Sequence, residues 1–129
     1  MHIMSRGPRP EKAIAEAKGI AVERGAVVGL TPGPGLPVDF AIFGADRIIF
    51  VLVKRTRRHL SDTGEIGHDF AVELREIQRM PACPVASAEL WVVAPWGTFQ
   101  YFRVVPGPVT EICRPGLPVE RPGSGPGAG

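Results

Sequence analysis

The chain has 129 residues, 44% of them hydrophobic, and its 15 Lys and Arg against 13 Asp and Glu give a formal charge of +2. That length fits one domain able to bury a core without metal or disulfide support, and so small a charge leaves any polyanionic partner to be argued from local clustering. The two cysteines, Cys83 and Cys113, lie outside any CxxC arrangement and have no histidine at ligand spacing, which argues against a zinc site and for ordinary thiols in a reducing compartment.

The opening MHIMSRGPRPEK lacks the apolar centre of a signal peptide, and no apolar stretch approaches the roughly 20 residues needed to span a bilayer. A cytoplasmic protein without a membrane partner is expected. From Arg9 to Arg24, RPEKAIAEAKGIAVER places Pro10 and Glu11 where a helix starts and repeats Ala13, Ile14, Ala17, Ile20 and Ala21 at helical spacing, with Gly25 closing it. AVVGL is a short strand, and TPGPGLP a loop that has neither the lysine nor the following helix of a phosphate loop. VDFAIFGADRIIFVLVKR then reads as a hairpin from Val38 to Arg55, turning at GAD.

TRRHLSDTGEIG is polar and reads as a mobile loop. HDFAVELREIQRM sets Phe70, Leu74 and Ile77 along one helical face. AELWVVAPWGTFQYFRVV gives a second hairpin, with strands near Glu89 to Ala94 and Thr98 to Val105 and a turn at PWG. From Pro106 onward Pro and Gly dominate and little remains to bury. The expected organisation is a flexible N-terminus over residues 1–9, an α/β domain over 10–105 and a disordered tail over 106–129. Its order αβββαββ predicts a mixed sheet flanked by helices, with the strands on either side of the second helix able to pair in parallel.

Chemistry concentrates at the end of IIFVLVKRTRRH. Side chains alternate along a strand, so Leu52 and Lys54 share one face while Val51, Val53 and Arg55 share the other. If the turn pairs Phe43 with Ile48, Asp39 lies opposite Leu52 and diagonal to Lys54, which puts an acid and a lysine together at the edge of an apolar sheet. Beyond Lys54, the run Arg55, Arg57, Arg58 and His59 is suited to gripping a nucleic-acid backbone without reading bases. Each has an ordinary explanation too: turn chemistry for Asp39, a snorkelling stem for Lys54, a solvated loop for the arginines. Among Trp91, Trp96, Phe99, Tyr101 and Phe102, core packing and cross-strand pairing account for all but Trp96 at the turn.

The element order, with PVD at residues 37–39 and LVK at 52–54, resembles the PD-(D/E)XK nuclease superfamily, in particular archaeal Holliday junction resolvases and related restriction-endonuclease-like domains. The resemblance covers about residues 10–105. It implies a restriction-endonuclease-like sandwich, a Mg²⁺ cofactor held by Asp39 with Glu16 from the first helix, and Lys54 orienting water or steadying phosphate charge. It also implies a DNA or RNA partner and a possible homodimer.

The departure from the pattern is Leu52, which stands where an acid belongs and cannot coordinate a cation. Losing one principal carboxylate should slow metal-assisted hydrolysis on the order of a thousandfold or more. Some restriction-endonuclease-like enzymes carry the missing acid on the following helix, where Glu73 is the candidate, with Glu65 and Asp69 behind it. Two functions are therefore expected in alternative. One is a nucleic-acid-binding nuclease-like domain, either degenerate or using a relocated acid; if it is active, Asp39→Ala or Lys54→Ala should abolish metal-dependent cleavage and leave folding intact. The other is a non-catalytic interaction module pairing through a sheet edge such as Phe99 to Val105.

Overall fold

The computed structural model describes residues 9–81 and 83–113, so the expected tail beyond residue 113 and all but Arg9 of the expected flexible N-terminus lie outside the described residues. Nine elements follow one another: α1 (Glu11–Ala21), β1 (Ala26–Gly29), β2 (Phe40–Phe43), β3 (Ile48–Arg55), α2 (Thr63–Asp69), α3 (Ala71–Gln78), β4 (Ala86–Val93), β5 (Phe99–Val105) and β6 (Thr110–Ile112). The six strands form one mixed sheet in the order of the chain, antiparallel except where β3 and β4 run parallel. The helical α2–α3 segment supplies the connection that a parallel pair requires.

Helices cover both faces. Ala13, Ile14, Ala17 and Ala21 of α1 pack on Phe40, Ile42, Val51, Val53, Trp91 and Tyr101. Ile66, Phe70, Leu74 and Ile77 pack on the opposite face with Leu52, Leu90, Val92, Phe102 and Val104. This two-sided cover explains why β3 and β4 read as unbroken apolar runs. No helix among the described residues is long and apolar enough to cross a membrane.

The aromatic reading of the second hairpin is borne out. Trp91 is fully buried and makes edge-on contacts with Phe40 at 5.7 Å and Tyr101 at 4.9 Å, whereas Trp96 is 63% exposed.

Three local features differ from the sequence expectation. The supposed mobile loop contains α2, because Asp62 caps it by accepting from the Glu65 N–H at 3.0 Å while the Glu65 carboxylate accepts the Ser61 N–H at 2.6 Å, a near capping box. The single helix expected over 68–80 is two, divided at Phe70 (φ −125°, ψ 35°), whose side chain packs into the core. And β6 lies inside the expected tail, pairing Thr110–Ile112 with Tyr101–Arg103. Gly107, at φ +83°, makes the turn between them. Pro and Gly here punctuate a tight connection, and the middle of β5 is consequently no free edge; the outer strands are β1 and β6.

Candidate nucleic-acid interface

The site forms where β2 enters the sheet and β3 leaves it. Phe43 pairs with Ile48 and Phe40 with Val51, so continuing the register sets Asp39 opposite Leu52, as the alternation of the hairpin requires. The main chain of Asp39 stitches three strands together: its N–H donates to the Val51 carbonyl at 2.8 Å and its carbonyl accepts from Leu30 N–H at 2.8 Å.

Asp39 is 1% exposed and both of its carboxylate oxygens are engaged. Oδ2 accepts the Val53 N–H at 2.8 Å, and Oδ1 accepts Nε of Arg9 at 3.0 Å. Arg9 donates in addition to the Leu30 carbonyl at 3.0 Å and stands 3.5 Å from Glu11. A guanidinium thus occupies the side of the carboxylate that faces outward. A buried carboxylate is costly without hydrogen-bond partners, and here a backbone N–H and an arginine supply them.

Asp39, Leu52, Lys54 and Arg9 line one cavity of about 260 Å³. Acid and lysine are therefore brought together, and Leu52 extends that cavity's wall toward the apolar core. Glu16 is elsewhere. It lines a second cavity of about 390 Å³, with Lys12, Arg55, Thr56 and Trp96. Glu73 sits in the first turn of α3 and lines neither. Among the described residues no group of three or more His, Cys, Asp and Glu is placed to hold a metal ion, so Asp39, Glu16 and Glu73 are not assembled as a ligand set.

The cationic run divides in two. Lys54 and Arg55 leave the end of β3 on opposite faces, and their side chains and that of Arg57 have no ion-pair or hydrogen-bond partner among the described residues. Arg58 is different: it donates to Glu65 at 2.8 Å and to Asp69 at 3.1 Å. The two acids held in reserve as metal ligands are thereby spent on Arg58, and Arg58 is removed from the set of free cations. His59 is exposed.

Leu60, 1% exposed, anchors this loop. Its N–H donates to Gln100 Oε1 and its carbonyl accepts from Gln100 Nε2, both at 2.8 Å. Gln100 on β5 thus fixes the far end of the basic segment. At the near end, Thr56 N–H donates to the Val93 carbonyl at 3.0 Å, extending the parallel β3–β4 ladder.

Sequence reasoning missed Arg9, Gln100 and Glu89. Glu89 is 2% exposed within β4; it takes two hydrogen bonds of 2.8 Å from Arg24 and one of 2.9 Å from the Trp91 indole. The Arg24 pKa is raised by its hydrogen bond to Glu89, against the opposing effect of burial. A charge inside AELWVV was a visible signal that a buried partner was needed. Arg9 and Gln100 carried none: an arginine before a helix and a glutamine in a strand are both ordinary at a surface.

No family model, curated protein or solved structure matches this chain.

Proposed function

We propose that the chain is a non-catalytic nucleic-acid-binding domain on a restriction-endonuclease-like scaffold, in which the Arg9–Asp39 ion pair stands in for a bound metal. The observation that carries this reading is Asp39 itself, with both oxygens committed to Val53 N–H and Arg9 beside a Lys54 that has no such commitment. The helix, three-strand meander, helical crossover and parallel fourth strand support the scaffold. With Leu52 in the acidic position, the cavity has no second carboxylate among the described residues to neutralise a hard divalent ion.

Binding falls to Lys54, Arg55 and Arg57, at and just beyond the C-terminal end of β3, in a segment whose far end is anchored through Leu60. Such contacts grip phosphates and carry no sequence information.

The test is a titration of duplex DNA by fluorescence anisotropy in EDTA at several salt concentrations. Three phosphate contacts give a slope of log affinity against log salt near −2.7, at about 0.9 per contact. Arg57→Ala should lower its magnitude by about 0.9, whereas Arg58→Ala, already neutralised by Glu65 and Asp69, should leave it unchanged. Absence of binding at low salt, or binding with no salt dependence, would refute the reading and favour a protein-interaction module. Mg²⁺-dependent cleavage lost in Lys54→Ala would refute its non-catalytic half.

A further inference from the structure

The cavity beside Arg55 has a composition that phosphate binding alone does not explain. Its lining combines two cations, Lys12 and Arg55, one carboxylate, Glu16, and the indole of Trp96. At about 390 Å³ it lies within the roughly 300–1,000 Å³ range of small-molecule sites. Trp96 is 63% exposed at the β4–β5 turn, a position where small polar residues are the usual occupants. The turn is nonetheless well defined: Gly97, at φ +95°, donates to the Ala94 carbonyl at 2.9 Å, and Ala94 N–H donates to Thr98 at 3.0 Å. The indole is therefore presented to solvent on a fixed support, so little ordering cost attends a stacking partner.

Its neighbours settle what kind of partner suits it. β3 and β4 are parallel and Arg55 pairs with Val93, so the β4–β5 turn stands at the same end of the sheet as the free cations. A flat apolar face next to two cations matches a nucleotide, whose base stacks on the ring while its phosphate meets Lys12 and Arg55. Glu16, in the same lining, is a carboxylate that would repel phosphate and could accept from the N–H groups of a base edge. A base paired inside a duplex has no free face to offer, so the nucleotide must be unpaired.

We infer that the cavity between α1 and the β4–β5 turn is a subsite for one unpaired nucleotide, stacked on Trp96, which adds a single-strand or frayed-end preference to the backbone grip. This rests on the nucleic-acid reading above. Only two tryptophans are present, and Trp91 is sealed in the core, so quenching of the exposed indole reports occupancy directly.

The experiment titrates the full chain at low salt with a single-stranded DNA oligonucleotide and with a blunt duplex of equal length, following tryptophan fluorescence and anisotropy together. Single strand should quench Trp96. Trp96→Ala should weaken single-strand binding about tenfold, as expected for losing one base stack, with duplex binding unchanged and Trp96→Phe recovering most of the loss. Duplex binding with no quenching by single strand, or equal single-strand affinity for wild type and Trp96→Ala, overturns the subsite and leaves the backbone reading standing. Failure to bind either nucleic acid overturns both.

Discussion

Replacing Asp39 by alanine separates a structural carboxylate from a catalytic one. The side chain is almost wholly buried and accepts the Val53 N–H in the middle of the sheet. Alanine strands that donor away from water, at a cost of about 1–3 kcal/mol. The Arg9 ion pair adds less than about 1 kcal/mol, because the arginine is 35% exposed and solvent screens it. The expected loss is thus about 1–4 kcal/mol, and at roughly 4 °C per kcal/mol for a domain near 100 residues the melting temperature should fall by about 4–16 °C. Asp39→Asn keeps one acceptor oxygen for the Val53 N–H but turns its NH2 toward the Arg9 guanidinium, so it forfeits the ion pair and one hydrogen bond and should lose less than Asp39→Ala, about 1–2 kcal/mol. Lys54→Ala, with no partner among the described residues, should shift stability by less than about 0.5 kcal/mol. Thermal unfolding followed by circular dichroism and calorimetry decides the matter. If Asp39→Ala melts within about 2 °C of the wild type, the carboxylate is not integrated into the sheet, since even the smallest expected fall exceeds that shift.

Two further substitutions test the polar groups of the core. Glu89→Gln should destabilise by about 1.5–3 kcal/mol in denaturant titration, because the half-buried Arg24 loses its counter-ion and one of its two acceptors. Since the Arg24 pKa is raised, the stability it contributes is complete at neutral pH and is lost only as pH climbs through the arginine range, so this deficit should be constant from pH 6 to 9. Gln100→Ala removes both hydrogen bonds that hold Leu60 and should cost about 1–3 kcal/mol, with the amide of Leu60 exchanging faster in hydrogen-exchange experiments. A Leu60 amide as protected in Gln100→Ala as in the wild type would remove Gln100 as the anchor of the basic loop.

How far the sequence discloses this molecule depends on whether a signal is local. The β2–β3 register was legible because side chains alternate and the turn fixes the pairing, so Asp39 and Lys54 could be set side by side from residues 38 to 55 alone. Parallel pairing of β3 with β4 followed from the helical segment between two apolar runs. The break at Phe70 and the strand β6 were not legible, because an apolar residue at helical spacing serves equally inside a helix or at its end, and Pro with Gly marks a tight turn as readily as a disordered tail. The pairings that assign roles are longer in range. Arg9 reaches Asp39 across 30 residues, Gln100 reaches Leu60 across 40 and Arg24 reaches Glu89 across 65. No periodicity encodes such partners, yet they decide the chemistry. A carboxylate opposite Leu52 reads as a metal ligand until Arg9 is seen on it. Arg58 reads as a phosphate contact until Glu65 and Asp69 are seen beside it. Local alternation thus sets Asp39 and Lys54 near each other, while the long-range pairings fix which side chains already hold a counter-charge.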